Sequence, residues 1–163
     1  MIAFWFCVLL LISVPALAAD ATVVDGDGLD FATERVRLWG IDAPEHDQTC
    51  VLAQAPYPCG RIAAKALSDL VRGKDVRCAK VDIDRYGRTV ARCFVDGQDL
   101  GAEMVRRGLA LDYRRFSGGF YSAAEAAARR ERRGLWASTF ERPSDWRRKH
   151  PRGKAGARPN PPI

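Results

Sequence analysis

The sequence predicts an α+β domain dominated by β-structure, a small barrel with three helices packed on its outside. Three observations predict it. Short strand-like runs outnumber helical ones, several of them precede the first helix, and two more separate the first helix from the second. The length of 163 residues suffices for one domain with a tail and is too short for two good cores. The composition is that of a folded chain, 47% apolar and 28% charged, which excludes collagen-like, coiled-coil and wholly disordered readings.

The first 19 residues stand apart from the fold. No charged side chain occurs between Met1 and Ala19, and Ile2 to Ile12 is an unbroken apolar run. Pro15 and then Ala16-Leu17-Ala18 supply a helix breaker and a small-x-small cleavage site, so 1–19 is expected to be a cleaved signal peptide. The competing reading is an uncleaved anchor, which would be at the short limit for spanning and is interrupted by Pro15. A secreted or periplasmic protein follows, with no stable membrane association once the signal is removed.

The domain is expected over residues 20–142. Its strand-like runs are 21–24, 29–32, 34–41, 76–81, 88–95 and 109–113. A first helix is predicted over 60–71, where Ile62, Ala63, Ala66, Leu67, Leu70 and Val71 recur at helical spacing and Gly73 closes the run. A second covers 99–107, with Leu100, Met104 and Val105 as its stripe and Gly108 as its stop. A third covers 121–133, capped by Ser122 or a neighbour, filled with alanines and closed by Gly134; Leu135 and Trp136 then dock back on the core. Residues 143–163 are rich in Arg, Lys, Pro and Gly with little that is apolar except Trp146, and read as a basic, largely disordered tail.

Charge is unevenly placed. The chain carries a formal net charge of +6, but residues 129–158 hold 11 of its 26 Lys/Arg and only 3 of its 20 Asp/Glu. The segment before them is therefore slightly acidic, and an anion site there has to be built from a few placed arginines.

Cys7 leaves with the signal, and Cys50, Cys59, Cys78 and Cys93 remain. None is spaced as CxxC, and His46 and His150 are the only histidines, which argues against a zinc site. An even number of cysteines in an exported chain reads as two disulfides. Cys78 and Cys93 are equidistant from a turn centred between Arg85 and Tyr86, so they would face each other across a hairpin. Cys50 and Cys59 are left to close a short loop.

Three motifs carry chemistry. Asp25-Gly26-Asp27-Gly28 alone is an ordinary hairpin turn, and it fails as a calcium EF-hand because Leu29, Asp30 and Val36 stand where that loop needs other residues. In Val36-Arg37-Leu38-Trp39-Gly40-Ile41-Asp42-Ala43-Pro44-Glu45, an arginine lies inside an apolar strand that ends in two carboxylates. On a period of two, Arg37 shares a face with Trp39 and Ile41, which makes it an inner-face charge. It either pairs with Asp27 or Asp42 or awaits an external anion. Asp84-Arg85-Tyr86-Gly87-Arg88 is a turn followed by an arginine at a strand head, which on its own could simply be solvated. Together the three supply hard oxygen ligands, a carboxylate base and two guanidinium forks. That is the inventory for in-line attack of water on a phosphodiester.

Val24-Asp25-Gly26-Asp27, Arg37-Leu38…Asp42-Ala43-Pro44-Glu45 and Asp84-Arg85-Tyr86-Gly87-Arg88 resemble, in order and spacing, the staphylococcal (micrococcal, thermonuclease) nuclease family. The run from Leu100 through Met104-Val105-Arg106-Arg107-Gly108 to Ala110 and the closing Gly134-Leu135-Trp136 are similar to it as well, so the resemblance covers roughly residues 20–140. It implies an OB-fold, a five-stranded barrel with three helices outside, and a Ca²⁺-dependent phosphodiesterase acting on DNA and RNA that leaves 3′-phosphate ends. Asp27, Asp42 and the backbone carbonyl of Ala43 match the calcium ligands. Glu45 matches the general base, and Arg37 and Arg88 match the phosphate clamps. Tyr86 and Tyr113 lie where nucleotide-contacting aromatics stand. Ala43 and Gly28 each replace a usual Thr, and the two disulfides are absent from the type member. The protein is expected to be a monomer, and the sequence points to no particular protein partner. The alternative function is a non-catalytic OB-fold nucleic-acid-binding module; Asp27 and Asp42 argue against it, because carboxylates repel phosphates unless a cation lies between.

Overall fold

A computed structural model describes residues 21–151. The signal-peptide expectation for 1–19 and the end of the expected tail, 152–163, lie outside them.

Alternation at the start of the domain builds three short antiparallel strands: β1 (Thr22–Asp25), β2 (Gly28–Asp30) and β3 (Arg35–Leu38). The run expected to continue to Ile41 breaks at Trp39-Gly40. Gly40 sits at φ +73°, a conformation that L side chains rarely adopt, and the chain reverses there before β4 (Ile41–Asp42). The loop beyond β4 leads into a hairpin that the sequence did not announce, β5 (Cys50–Leu52) and β6 (Ala55–Tyr57). Its turn residues Ala53 and Gln54 both hold positive φ, 49° and 67°, so the usual Asn/Gly signature is missing.

Helix α1 (Cys59–Val71) follows, then β7 (Arg77–Ile83), β8 (Thr89–Val95) and β9 (Gln98–Asp99). The principal sheet runs β1-β2-β3-β8-β7 with β9 on β8, and β3–β8 is its parallel pair. Among the described residues no pairing joins β1 to β7, so the sheet has two ends where a closed five-stranded barrel was expected. The α+β class holds, with five α-helices where three were expected: α1, α2 (Leu100–Arg106), α3 (Arg114–Ser117), α4 (Ser122–Arg130) and α5 (Pro143–Lys149). The additional α3 is four residues long, too short for an apolar period to declare it, and α5, as long as α2, carries no apolar stripe. A short 3₁₀ turn, Gly134–Ala137, closes the domain, and β10 (Leu111–Asp112) pairs with β4.

The core lies between the sheet and two of the predicted helices. Leu29, Val36, Leu38 and Ile41 meet Ala63, Leu67 and Val71 of α1 and Leu100, Met104 and Val105 of α2. Ile62, counted in the predicted α1 stripe, is 43% exposed. Asp99 caps α2 by accepting from the Ala102 amide, whereas α4 begins without a side-chain cap, contrary to the expectation for Ser122. A second cluster joins Cys50, Cys59, Leu111 and Leu135, with Trp136 packed against it as expected.

Both expected disulfides form. Cys78 faces Cys93 across β7–β8, and Cys50 joins Cys59 at the head of α1. The hairpin is not symmetric about the expected centre, because a register shift between Lys80 and Asp82 moves the pairing by one residue before the turn.

Gly60 shows how tightly α1 is set against the loop after β4. A Cβ there would stand 1.7 Å from the Glu45 carbonyl oxygen, so the helix can approach only because position 60 has no side chain. Gly60→Ala is expected to destabilise the protein by about 1–3 kcal/mol, as overpacking against backbone does. Equilibrium denaturation measures this, and unchanged stability would mean that the contact relaxes freely.

Candidate active site

Two turns and one loop bring the motif carboxylates together. The β1–β2 turn is tied to the end of β3 by the Leu38 amide, which donates to the Asp27 carbonyl at 2.8 Å. β4, held against β10, places Asp42 beside that turn. The Ala43 amide donates to Asp27 Oδ2 at 3.3 Å, so Ala43 reaches the cluster through its N–H. Glu45 is set by Gln48: their backbones join by Gln48 N–H to Glu45 C=O at 2.8 Å, and Gln48 Oε1 accepts from the Glu45 amide at 3.3 Å. Gln48 is 1% exposed and also donates from Nε2 to the Glu141 carbonyl, while its own carbonyl accepts from the Gly60 amide.

Four carboxylates, Asp25, Asp27, Asp42 and Glu45, are all buried, none more than 8% exposed. Two guanidiniums lie among them. Arg37 Nη2 donates to Asp27 Oδ2 at 2.9 Å and stands 3.6 Å from Asp42 Oδ1, which is the ion pair that the sequence allowed. Arg147, from α5, donates from Nη2 to Asp42 Oδ1 at 2.6 Å and from Nη1 to Glu45 Oε1 at 2.9 Å. The Ser144 amide completes Asp42 by donating to Oδ2 at 3.1 Å.

The electrostatics follow from this crowding. Burial, and then the neighbouring charges of Asp27 and Glu45, push the Asp25 carboxyl up to about 7. Burial likewise raises Asp42, against the pull of Arg147. The charge of Asp27 holds Arg37 above its ordinary value. Burial disfavours a charged Arg147, but its contacts with Asp42 and Glu45 outweigh it and hold the guanidinium firmly protonated.

The face assigned to Arg37 needs correction. Val36 and Leu38 are the buried residues of β3, and Arg35 and Arg37 occupy the other face. The expected alternation from Arg37 through Trp39 to Ile41 fails because Gly40 turns the chain between them. Arg37 therefore points away from the apolar core, toward the carboxylates.

Arg88 stands one strand over. β3 and β8 pair Arg37 with Val90, so a residue two before Val90 lies on the same sheet face as Arg37. Its side chain is held by Asp84, with Nε at 2.7 Å and Nη2 at 2.6 Å from Oδ2, and it makes no hydrogen bond to the carboxylate cluster among the described residues. Burial works against Asp84, but the Arg88 hydrogen bond holds its carboxyl below the usual range. Tyr86 is 68% exposed, under the guanidiniums of Arg85 and Arg88. Tyr113 packs edge-on against Phe116, and its amide donates to the Gly40 carbonyl beside β4.

The structure thus brings Asp27, Arg37, Asp42, Ala43 and Glu45 into one cluster and sets Arg88 with Tyr86 beside it. Sequence reasoning missed Asp25, Gln48, Ser144 and Arg147. Asp25 was visible in its motif. Nothing local marks Gln48, and Arg147 lies in a stretch with no apolar period.

The donor set is all hard oxygen with an excess of negative charge, which suits a divalent cation such as Ca²⁺. Among the described residues no three such side chains are arranged to hold a metal ion, and guanidiniums bridge Asp27 to Asp42 and Asp42 to Glu45.

Residues 35–138 match the family model described as staphylococcal nuclease homologue. The chain is 38% identical to an uncharacterized endonuclease of Haemophilus influenzae, the match covering 77% of this chain and 70% of that protein. It is 33% identical to a micrococcal nuclease of Shigella flexneri, covering 86% and 88%. It is 37% identical to the succinoglycan biosynthesis protein ExoI of Rhizobium meliloti, covering 74% of this chain and only 64% of that protein's length.

Proposed function

The chain belongs to the staphylococcal nuclease homologue family, and on that premise we propose that it is an exported Ca²⁺-dependent nuclease hydrolysing phosphodiester bonds of DNA, RNA or both. The observation that carries this reading is the buried cluster in which Asp27 and Asp42 meet Arg37, and Asp42 and Glu45 meet Arg147. A module that only bound nucleic acid would gain nothing from buried carboxylates facing a polyanion.

In this reading Asp27, Asp42 and the Ala43 carbonyl hold the cation, which supplies Lewis-acid polarisation of a phosphoryl oxygen. Glu45 accepts the proton of the attacking water at its carboxylate, and the Gln48 side chain and the loop backbone keep that carboxylate aimed. Arg37 and Arg88, on one face of adjacent strands, donate to the equatorial oxygens where negative charge gathers. For Arg88 this means leaving Asp84, an exchange of one oxyanion partner for another. Tyr86 and Tyr113 flank the site as stacking surfaces for bases.

Three finer elements belong to the same proposal. The domain is a variant of the five-stranded OB-fold, open between β1 and β7 among the described residues, residues 1–19 are removed on export to the periplasm or medium, and the protein acts as a monomer. The reading is tested with end-labelled single-stranded DNA and RNA oligonucleotides incubated with purified protein and Ca²⁺. Fragments ending in 3′-phosphate are expected; intact oligonucleotides, or fragments ending in 3′-hydroxyl, would count against it.

A further inference from the structure

Helix α5 is attached to the domain in an unusual way. Only Pro143 is buried in it, and Trp146 stacks on His150 within the same segment. Its hydrogen bonds and ion pairs to the site converge on two side chains. Arg147 holds Asp42 Oδ1 and Glu45 Oε1, and the Ser144 amide holds Asp42 Oδ2. Both oxygens of Asp42 are therefore engaged by α5, across about a hundred residues of chain. The remaining charged residues of the helix look outward or back on the adjoining segment: Arg148 pairs with Asp145, and Lys149 with Glu141.

From this geometry we infer that Arg147 is a resident stand-in for the divalent cation, which sets the metal affinity of the site and must give way when the cation binds. The inference rests on the cation assignment made above. The guanidinium holds Asp42 Oδ1, an oxygen of a carboxylate assigned to the cation, and two cations cannot share that carboxylate without repulsion. Arg147 has a way out to solvent, because its side chain is 28% exposed while the carboxylates it holds are buried. Linkage makes the effect reciprocal: whatever docked α5 costs cation binding, cation binding costs the docking of α5. The arginine also offsets the charge of the cluster: without it, Asp25, Asp27, Asp42 and Glu45 would face each other with Arg37 as the one guanidinium among the described residues there.

The test uses Ca²⁺ alone, with no nucleic acid, and compares wild type with Arg147→Ala and Arg148→Ala. Both substitutions remove one positive charge from α5, but Arg148 is 76% exposed and outside the cluster. Calorimetric titration is expected to show Arg147→Ala binding Ca²⁺ about tenfold tighter than wild type, the scale of one lost ion-pair competitor, with Arg148→Ala unchanged. Hydrogen exchange on the wild type gives a second readout that needs no variant, and amides of 144–150 are expected to exchange faster when Ca²⁺ is added. Equal affinity in all three proteins, weaker binding by Arg147→Ala, or slower exchange of α5 with Ca²⁺ would overturn the inference while leaving the nuclease reading standing. No Ca²⁺ binding by any of the three would overturn both.

Discussion

Replacing Glu45 by glutamine is expected to lower kcat by about 10²–10⁴, the usual contribution of a positioned general base, while KM and Ca²⁺ affinity change little. The substitution is close to isosteric. Gln at 45 keeps an oxygen for Arg147 Nη1, keeps the backbone bonds to Gln48, and leaves the 42–50 loop pinned by the Cys50–Cys59 bridge and the Gly60 contact. What it removes is a carboxylate able to accept the proton of water. Single-turnover kinetics with saturating substrate measures the effect. A loss smaller than about tenfold would assign proton transfer elsewhere, and Asp25, also buried in the cluster, would be the next residue to examine.

The second large effect is expected at Arg88. Lysine there keeps the charge but removes the fork, and a donor aimed at developing charge contributes about 10²–10³ in rate. Arg72→Lys is the matched control, since Arg72 is 72% exposed at the end of α1 and its partner is Asp69. Both wild-type arginines sit in ion pairs with a nearby aspartate, the Arg88–Asp84 pair being the less exposed. Equal and small effects in one assay would reduce Arg88 to a strand-head arginine satisfied by Asp84.

How much of this was legible in the sequence depends on the range of the interactions involved. Helices α1, α2 and α4 announced themselves through apolar spacing or alanine content and their closing glycines, and the Cys78–Cys93 bridge followed from hairpin symmetry although a bulge shifts the turn. The β5–β6 hairpin did not, because Ala53 and Gln54 adopt positive φ without any residue that prefers it; the neighbouring disulfide and the Val51–Thr139 bridge hold it. Arg37 was found but placed on the wrong face, since a period-two reading cannot see the reversal at Gly40. Arg147 was invisible for a deeper reason. Its helix is fixed by two acids far away in sequence instead of by an apolar stripe, and local composition there reads as tail.

We propose that the Asp27–Asp42–Glu45 cluster catalyses phosphodiester hydrolysis with Ca²⁺. Its most direct test follows cleavage of single-stranded DNA by the purified protein through three stages: Ca²⁺ present, chelator added in excess, and Ca²⁺ restored. Cleavage that stops with chelator and returns with Ca²⁺ is the predicted result. Cleavage at an undiminished rate in chelator, or none at any Ca²⁺ concentration by a protein shown to be folded, would contradict the account.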